Sequence, residues 1–263
     1  MNTVVTAEAA AGPVPVLRPD WPAAPPVGAA FSLRGGGVSA APFDSLNLGA
    51  HVGDDPAAVA ENRRRLRAAL RLAAEPLWLA QQHGTQVVDA DRLGGAAAGP
   101  SGMPPLADAA VTRTPGRVLA VLVADCLPVL FARRDGAAVG IAHAGWRGLA
   151  AGVLEATVEA LGCPGAMLQA WLGPAIGREH FEVGDEVRAA FCTRESRAAD
   201  AFERNAAGRW QCDLDLLARQ RLAALGVPSV HGQRRCSYAH SQSFYSYRRD
   251  GVTGRMAALV WLN

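Results

Sequence analysis

The sequence predicts a layered α/β sandwich of mixed sheets, and three observations carry that prediction. Apolar runs near residues 117–131, 137–144, 166–172 and 256–262 read as strands, the last of them needing cover on both faces. Helical periodicity recurs over 55–74, 148–161, 181–191 and 214–225. The two kinds of segment mix without a regular βαβ rhythm, which disfavours a doubly wound sheet.

Taken in order, residues 1–26 hold six prolines among many alanines and read as a flexible N-terminal tail, so that one catalytic domain would occupy 27–263. A first strand is expected at 28–33. Behind Asp55-Pro56, the spacing of Val59, Leu66 and Leu70 predicts an amphipathic helix with an arginine-rich outer face. Residues 77–90 turn strand-like, and the Gly/Ala/Pro-rich stretch 94–105 reads as a mobile loop that could act as a lid. Asp135-Gly136 supplies a tight turn between the two central strands, 117–131 and 137–144. A helix follows over 148–161. Gly173-Pro174 stops the strand at 166–172, and the chain closes on the apolar strand 256–262.

At 263 residues with half of them hydrophobic, the chain can bury a substantial core. Net charge is +2 and the basic residues are scattered, so neither nucleic acid nor a membrane surface is the expected partner. Every basic residue is an arginine, whose planar fork suits phosphate and carboxylate. The N-terminus lacks a basic region followed by an apolar one, and no apolar run reaches spanning length, so a cytoplasmic protein is expected. Five cysteines, at 126, 163, 192, 212 and 236, form no CxxC pair and argue against both a disulfide framework and a zinc ribbon.

Any metal must therefore recruit histidine. Cys126 lies in the apolar string Ala124-Asp125-Cys126-Leu127-Pro128, and His143 lies near the end of the next strand. Antiparallel neighbours joined by a tight turn can bring two such side chains together. His83 sits where a strand meets Gly84, exposed at a sheet edge. Two imidazoles and a thiolate match the three protein ligands of a catalytic zinc site, which keeps its fourth position for water. Asp125 and Pro128 are both poor choices inside a central strand, which marks this stretch as more than core.

Six strings carry a resemblance: Ser45-Leu46-Asn47-Leu48-Gly49, Gln82-His83-Gly84, Ala124-Asp125-Cys126-Leu127-Pro128-Val129, His143-Ala144-Gly145-Trp146-Arg147-Gly148, Gly173-Pro174-Ala175-Ile176-Gly177 and Ser246-Tyr247-Arg248-Arg249-Asp250. In this order, between Phe31 and Leu262, they resemble the YfiH family, once called multicopper polyphenol oxidases, which includes the laccase-domain-containing protein of immune cells. The resemblance implies an α-β-β-α sandwich similar to the catalytic domain of cytotoxic necrotizing factors, and a zinc site on His83, Cys126 and His143. It also implies phosphorolysis of adenosine, inosine and S-methyl-5′-thioadenosine, together with adenosine deamination. Purine nucleosides and phosphate are then the small-molecule partners of a monomer or small homo-oligomer.

For the deaminase chemistry Asp125 is the nearest acidic candidate, although a strand neighbour of Cys126 should point to the opposite face. Phosphate calls for arginine forks. Arg63 matches an arginine of the family pattern and is the first choice, with Arg147, beside helix amides, and Arg34, before a glycine run, as further candidates. Among the other histidines, His51 follows the Asn47 string and could support the site. A four-copper oxidase is excluded by arithmetic, since six scattered histidines cannot ligate it; a single copper on the same three ligands is chemically admissible in place of zinc. The rival enzyme reading makes Cys126 a nucleophile with His143 as its base, in an amide hydrolase editing peptidoglycan precursors.

Overall fold

The computed structural model describes residues 4–9, 12–22, 27–93 and 103–263. Three strands open the chain, β1 (Val4–Ala9), β2 (Gly12–Leu17) and β3 (Val27–Ser32), followed by α1 (Pro56–Leu70). The middle holds β4 (Val87–Asp89), β5 (Ala109–Thr112), β6 (Val118–Val123), β7 (Leu127–Arg133), β8 (Val139–Ala144), α2 (Trp146–Ala151), α3 (Val153–Leu161) and β9 (Leu168–Leu172). After these come β10 (Glu182–Val183), α4 (Asp185–Cys192), β11 (Phe202–Arg204), β12 (Trp210–Cys212), α5 (Leu214–Ala224), β13 (Ser229–His231), α6 (Tyr247–Asp250) and β14 (Met256–Leu262).

Two large sheets stack. One is antiparallel, in the order β1-β2-β3-β14-β6; the other is mixed, in the order β13-β9-β7-β8-β5-β4, with parallel pairs at both edges. Their arrangement follows from period-two burial. Along β14, Ala257, Leu259 and Trp261 face α1, where they meet Leu66 and Leu70. The alternate residues Met256, Ala258 and Val260 face inward against Leu130, Ile141 and Trp171 of the mixed sheet. The far side of that sheet, with Val129, Phe131 and Ala142, is covered by Leu149, Val153, Leu154 and Leu217 of α2, α3 and α5. Helix, sheet, sheet and helices thus form the expected four layers.

Asp55 caps α1 by accepting from the Ala57 N–H, and Pro56 occupies the first turn, where its missing N–H leaves no gap. The Arg133–Gly136 turn joins β7 and β8 as read from the sequence, with Gly136 at φ 73°.

Four expectations need correction. Residues 1–26 are not simply a frayed tail, because β1 and β2 pair and Val14, Val16 and Leu17 are buried against the antiparallel sheet. The strand expected over 117–131 is two strands in different sheets. The chain crosses between them at Asp125, whose φ of 86° breaks the extended run. Residues 77–90 form only the isolated bridges Leu77↔Leu119 and Ala80↔Leu106 before β4. The helix over 148–161 is interrupted at Gly152, whose N–H closes the end of α2 on the Gly148 and Leu149 carbonyls. The expected lid at 94–105 falls largely on 94–102, outside the described residues.

Candidate metal centre

The crossing at Asp125 sets the site. In the β7–β8 ladder Leu127 stands opposite Ala144, which places Cys126, one residue earlier, beside Gly145 at the open end of both strands. Gly145 has to be glycine: a Cβ there would lie 2.8 Å from His83 Cδ2 and 3.0 Å from Cys126 Sγ. His143, two residues before it on β8, is buried. The ligand atoms of His83, Cys126 and His143 lie within 4.8 Å of one another, and among the described residues this is the one His, Cys, Asp or Glu group that could hold a metal. The rings of His83 and His143 meet edge-on with centroids 4.8 Å apart, and Cys126 Sγ is 3.7 Å from His83 Nε2.

Asp108, which the sequence reading overlooked, organises all of this. Its carboxylate is 1% exposed and accepts from three consecutive backbone N–H groups, of Gln82, His83 and Gly84, at 3.0, 2.9 and 2.8 Å. That is why 81–84 is a loop: its amides bind a side chain instead of a neighbouring strand, and His83 takes a φ of 60°. Asp108 Oδ1 also accepts from His143 Nδ1 at 2.8 Å. A buried carboxylate so placed puts a proton on Nδ1 and leaves Nε2 as the nitrogen that could bind a metal. The signal was available: an acid inside Leu106-Ala107-Asp108-Ala109-Ala110 is as anomalous as one beside Cys126.

Burial raises the Cys126 thiol, but the neighbouring imidazoles of His143 and His83 outweigh it and draw the thiol down to about 6. Burial likewise opposes charge on His143, and the Cys126 thiolate together with Asp108 raises its pKa above the usual histidine range. Two imidazoles and a low-pKa thiolate suit zinc, and copper equally well.

The centre opens into a cleft of about 750 Å³ whose walls include Arg63, Trp78, Gln81, Leu122, Tyr247 and Arg255. Of the arginines expected at a phosphate, Arg63 lines this cleft. Its guanidinium lies 4.1 Å from the Trp78 ring centroid, with Nε and Nη2 donating to the Leu48 carbonyl. Arg34 is elsewhere, bonded to Asp44 and to the Ser241 carbonyl with Tyr245 beneath it. Arg147 lies over the Trp146 ring, outside the residues that line the cleft. Asp125 also turns away from it: its oxygens accept from Ser237 Oγ at 2.6 Å and from the Arg248 N–H at 2.7 Å. His51 and Arg255 are on the cleft wall; the sequence reading gave the first a supporting role and missed the second.

Residues 28–263 match the family model described as multi-copper polyphenol oxidoreductase laccase. A Pseudomonas aeruginosa protein named purine nucleoside phosphorylase is 55% identical over 247 residues, covering 94% of this chain and 98% of its own. An Escherichia coli protein named purine nucleoside phosphorylase YfiH is 50% identical with the same coverage. Among solved structures, a Neisseria meningitidis protein superposes with a TM-score of 0.88 at 47% identity, covering 94% of this chain and 99% of that one. YlmD from Geobacillus stearothermophilus superposes at 0.83 with 31% identity, covering 99% and 100%. The likeness thus extends over both large sheets and the cleft.

Proposed function

Because the chain belongs to the multi-copper polyphenol oxidoreductase laccase family, in which relatives at 50% identity and above are named purine nucleoside phosphorylases, we propose that it is a zinc-dependent purine nucleoside phosphorylase. Its substrates on this reading are adenosine, inosine and S-methyl-5′-thioadenosine, and it deaminates adenosine as a second activity. The observation that carries the proposal is that one cleft is lined both by His83, Cys126 and His143 and by Arg63. No helix among the described residues is long and apolar enough to cross a membrane.

His83, Cys126 and His143 would hold the zinc, which supplies a Lewis acid and an activated water for the deamination. Asp108 fixes both histidines before substrate arrives. Arg63, stacked on Trp78 and bonded through Nε and Nη2 to the Leu48 carbonyl, would offer Nη1 to phosphate. In phosphorolysis a phosphate oxygen bonds to C1′ of the ribose as the bond from C1′ to the purine nitrogen breaks, its electron pair leaving with the base. The protein's task in that step is placement and charge. Asp125 holds the turn beneath Cys126 through Ser237 and Arg248, a positioning role in place of proton transfer.

A second reading is favoured by one observation. The thiol of Cys126 at about 6 beside a histidine raised above its usual range resembles an activated nucleophile with its base. On that reading the enzyme is a Cys126-dependent amide hydrolase acting on peptidoglycan precursors. Incubating metal-analysed protein with adenosine, with and without phosphate, separates the two. Adenine and ribose 1-phosphate formed only with phosphate, and lost on chelation, support the phosphorylase. Activity on an amide substrate that survives chelation and is lost to thiol alkylation supports the hydrolase, and no product from adenosine in any condition refutes the phosphorylase.

A further inference from the structure

We propose that Arg255, Arg63 and His51 together form an oxyanion subsite at one wall of the cleft, and that its occupant is inorganic phosphate. The proposal deepens the phosphorolysis reading and rests on it for the ligand's identity. Three separate segments deliver these side chains: Arg63 from α1, His51 from the loop after the Asn47 string, and Arg255 from the residue before β14.

Both arginines are held by backbone carbonyls in a way that leaves part of each fork open. Arg255 Nη1 donates to the carbonyls of Thr253 and Gly254 at 2.9 and 3.0 Å, while its Nε and Nη2 bond to nothing among the described residues. Arg63 uses Nε and Nη2 on the Leu48 carbonyl and keeps Nη1. Neither arginine forms an ion pair among the described residues. Glu75, whose field reaches Arg63, accepts from Trp78 Nε1 and faces Arg67. Arg255 feels first the Cys126 thiolate, then Asp125, which is engaged with Ser237 and Arg248, and Tyr247, whose ring centroid lies 5.9 Å from its guanidinium.

Two half-buried cations without a carboxylate in contact are costly to hold in one wall, and an anion from solution relieves that cost. His51 registers the same field. Burial first, then Arg255 and Arg63, lower its pKa, so it meets a ligand as a neutral hydrogen-bonding group. The loop is built to gather the three. Asn47 Oδ1 accepts from the Arg255 and Gly49 N–H groups, and Gly49 leaves room for the Arg255 stem, which a Cβ would approach to 2.8 Å. Asn62, next to Arg63, ties the same loop to α1 through the Ser45 and Asn47 carbonyls. The Ser45–Gly49 string is thereby explained as the scaffold of an anion site. Phosphate on this wall and the purine toward Cys126 would let one bound nucleoside meet both chemistries.

Orthophosphate binding to the full-length, metal-analysed protein, followed by calorimetry and by 31P line broadening, tests this beside steady-state phosphorolysis. Arg255→Gln should weaken orthophosphate binding and raise its KM by about tenfold or more, while the KM for adenosine changes by less than about threefold. Arg255→Lys should recover part of the loss, and the pair Arg63→Gln with Arg255→Gln should abolish binding without changing the circular dichroism. Unaltered phosphate binding and KM in folded Arg255→Gln protein overturn the subsite while leaving phosphorolysis standing. If base release needs no phosphate but the arginine variants still lose phosphate binding, the subsite stands and the phosphorolysis reading falls. Loss of adenosine 5′-monophosphate binding alone, with orthophosphate unaffected, would make the occupant a nucleotide phosphate and overturn the assignment.

Discussion

Replacing Asp108 with asparagine tests the organisation of the metal centre at one atom. Four N–H groups converge on the carboxylate, two per oxygen: Gln82 and Gly84 on Oδ2, His83 and His143 on Oδ1. An amide keeps one oxygen and turns the other into a donor, so two hydrogen bonds are lost and two donors face an NH2 group. At roughly 1.5–3 kcal/mol for each bond to a charged acceptor, the loss is about 3–6 kcal/mol, lowered somewhat because a buried charge is also removed. The expected destabilisation is about 3–5 kcal/mol, large against the total of about 5–15 kcal/mol for a typical domain. The variant should also bind zinc about 10- to 100-fold more weakly, because His143 loses the partner that orients it. Urea unfolding of metal-free protein and chelator-competition titration measure the two effects. Burial raises the Asp108 pKa, but the His143 imidazole together with the Gly84 and Gln82 N–H groups outweighs it and holds the carboxyl below its ordinary value. The stability it contributes is therefore full above about pH 4 and lost as pH falls through the folded-state value. The variant should lack that acid loss. An unchanged urea midpoint together with unchanged zinc affinity would refute the reasoning.

Three further outcomes follow from the geometry. In metal-stripped protein, alkylation of Cys126 read by peptide mass spectrometry should accelerate as pH rises through about 6, because the thiolate is the reactive form; a midpoint in the ordinary thiol range, near 8.5, contradicts the pairing with His83 and His143. Gly145→Ala would press a methyl group against His83 and Cys126, costing about 1–3 kcal/mol and weakening zinc binding, and retained affinity in a competition titration would count against the crowding. Asn62→Ala removes a buried amide that accepts from the Val38 N–H and donates to Ser39 Oγ and the Ser45 and Asn47 carbonyls. A loss of about 2–4 kcal/mol in urea unfolding and a raised KM for phosphate are expected, and an unchanged phosphate KM would separate the loop from the anion subsite.

Period-two and helical patterning made the layers legible, since β14, β8 and β9 each bury residues on both faces and their sequences are correspondingly apolar throughout. The breaks were harder to see. An unbroken apolar string through 117–131 conceals the change of sheet at Asp125, because the left-handed backbone there is fixed by Ser237 and Arg248, more than a hundred residues away. The loop at 81–84 was hidden for the same reason, its amides being bound by Asp108. At the site, Cys126 and His143 could be paired from adjacent strands, whereas His83 depended on the family resemblance and Asp108 required the fold. Arg63 was named from the family pattern and lines the cleft; Arg255 was overlooked because Thr253-Gly254-Arg255 reads as the ordinary approach to a strand.

The central claim is that His83, Cys126 and His143 hold one metal ion, with sulfur among its ligands. Cobalt substitution with parallel metal analysis measures that directly. The predicted result is one ion per chain with a thiolate-to-cobalt charge-transfer band, and loss of that band in Cys126→Ser. Protein that takes up no stoichiometric metal, or a cobalt spectrum that Cys126→Ser leaves unchanged, would contradict it.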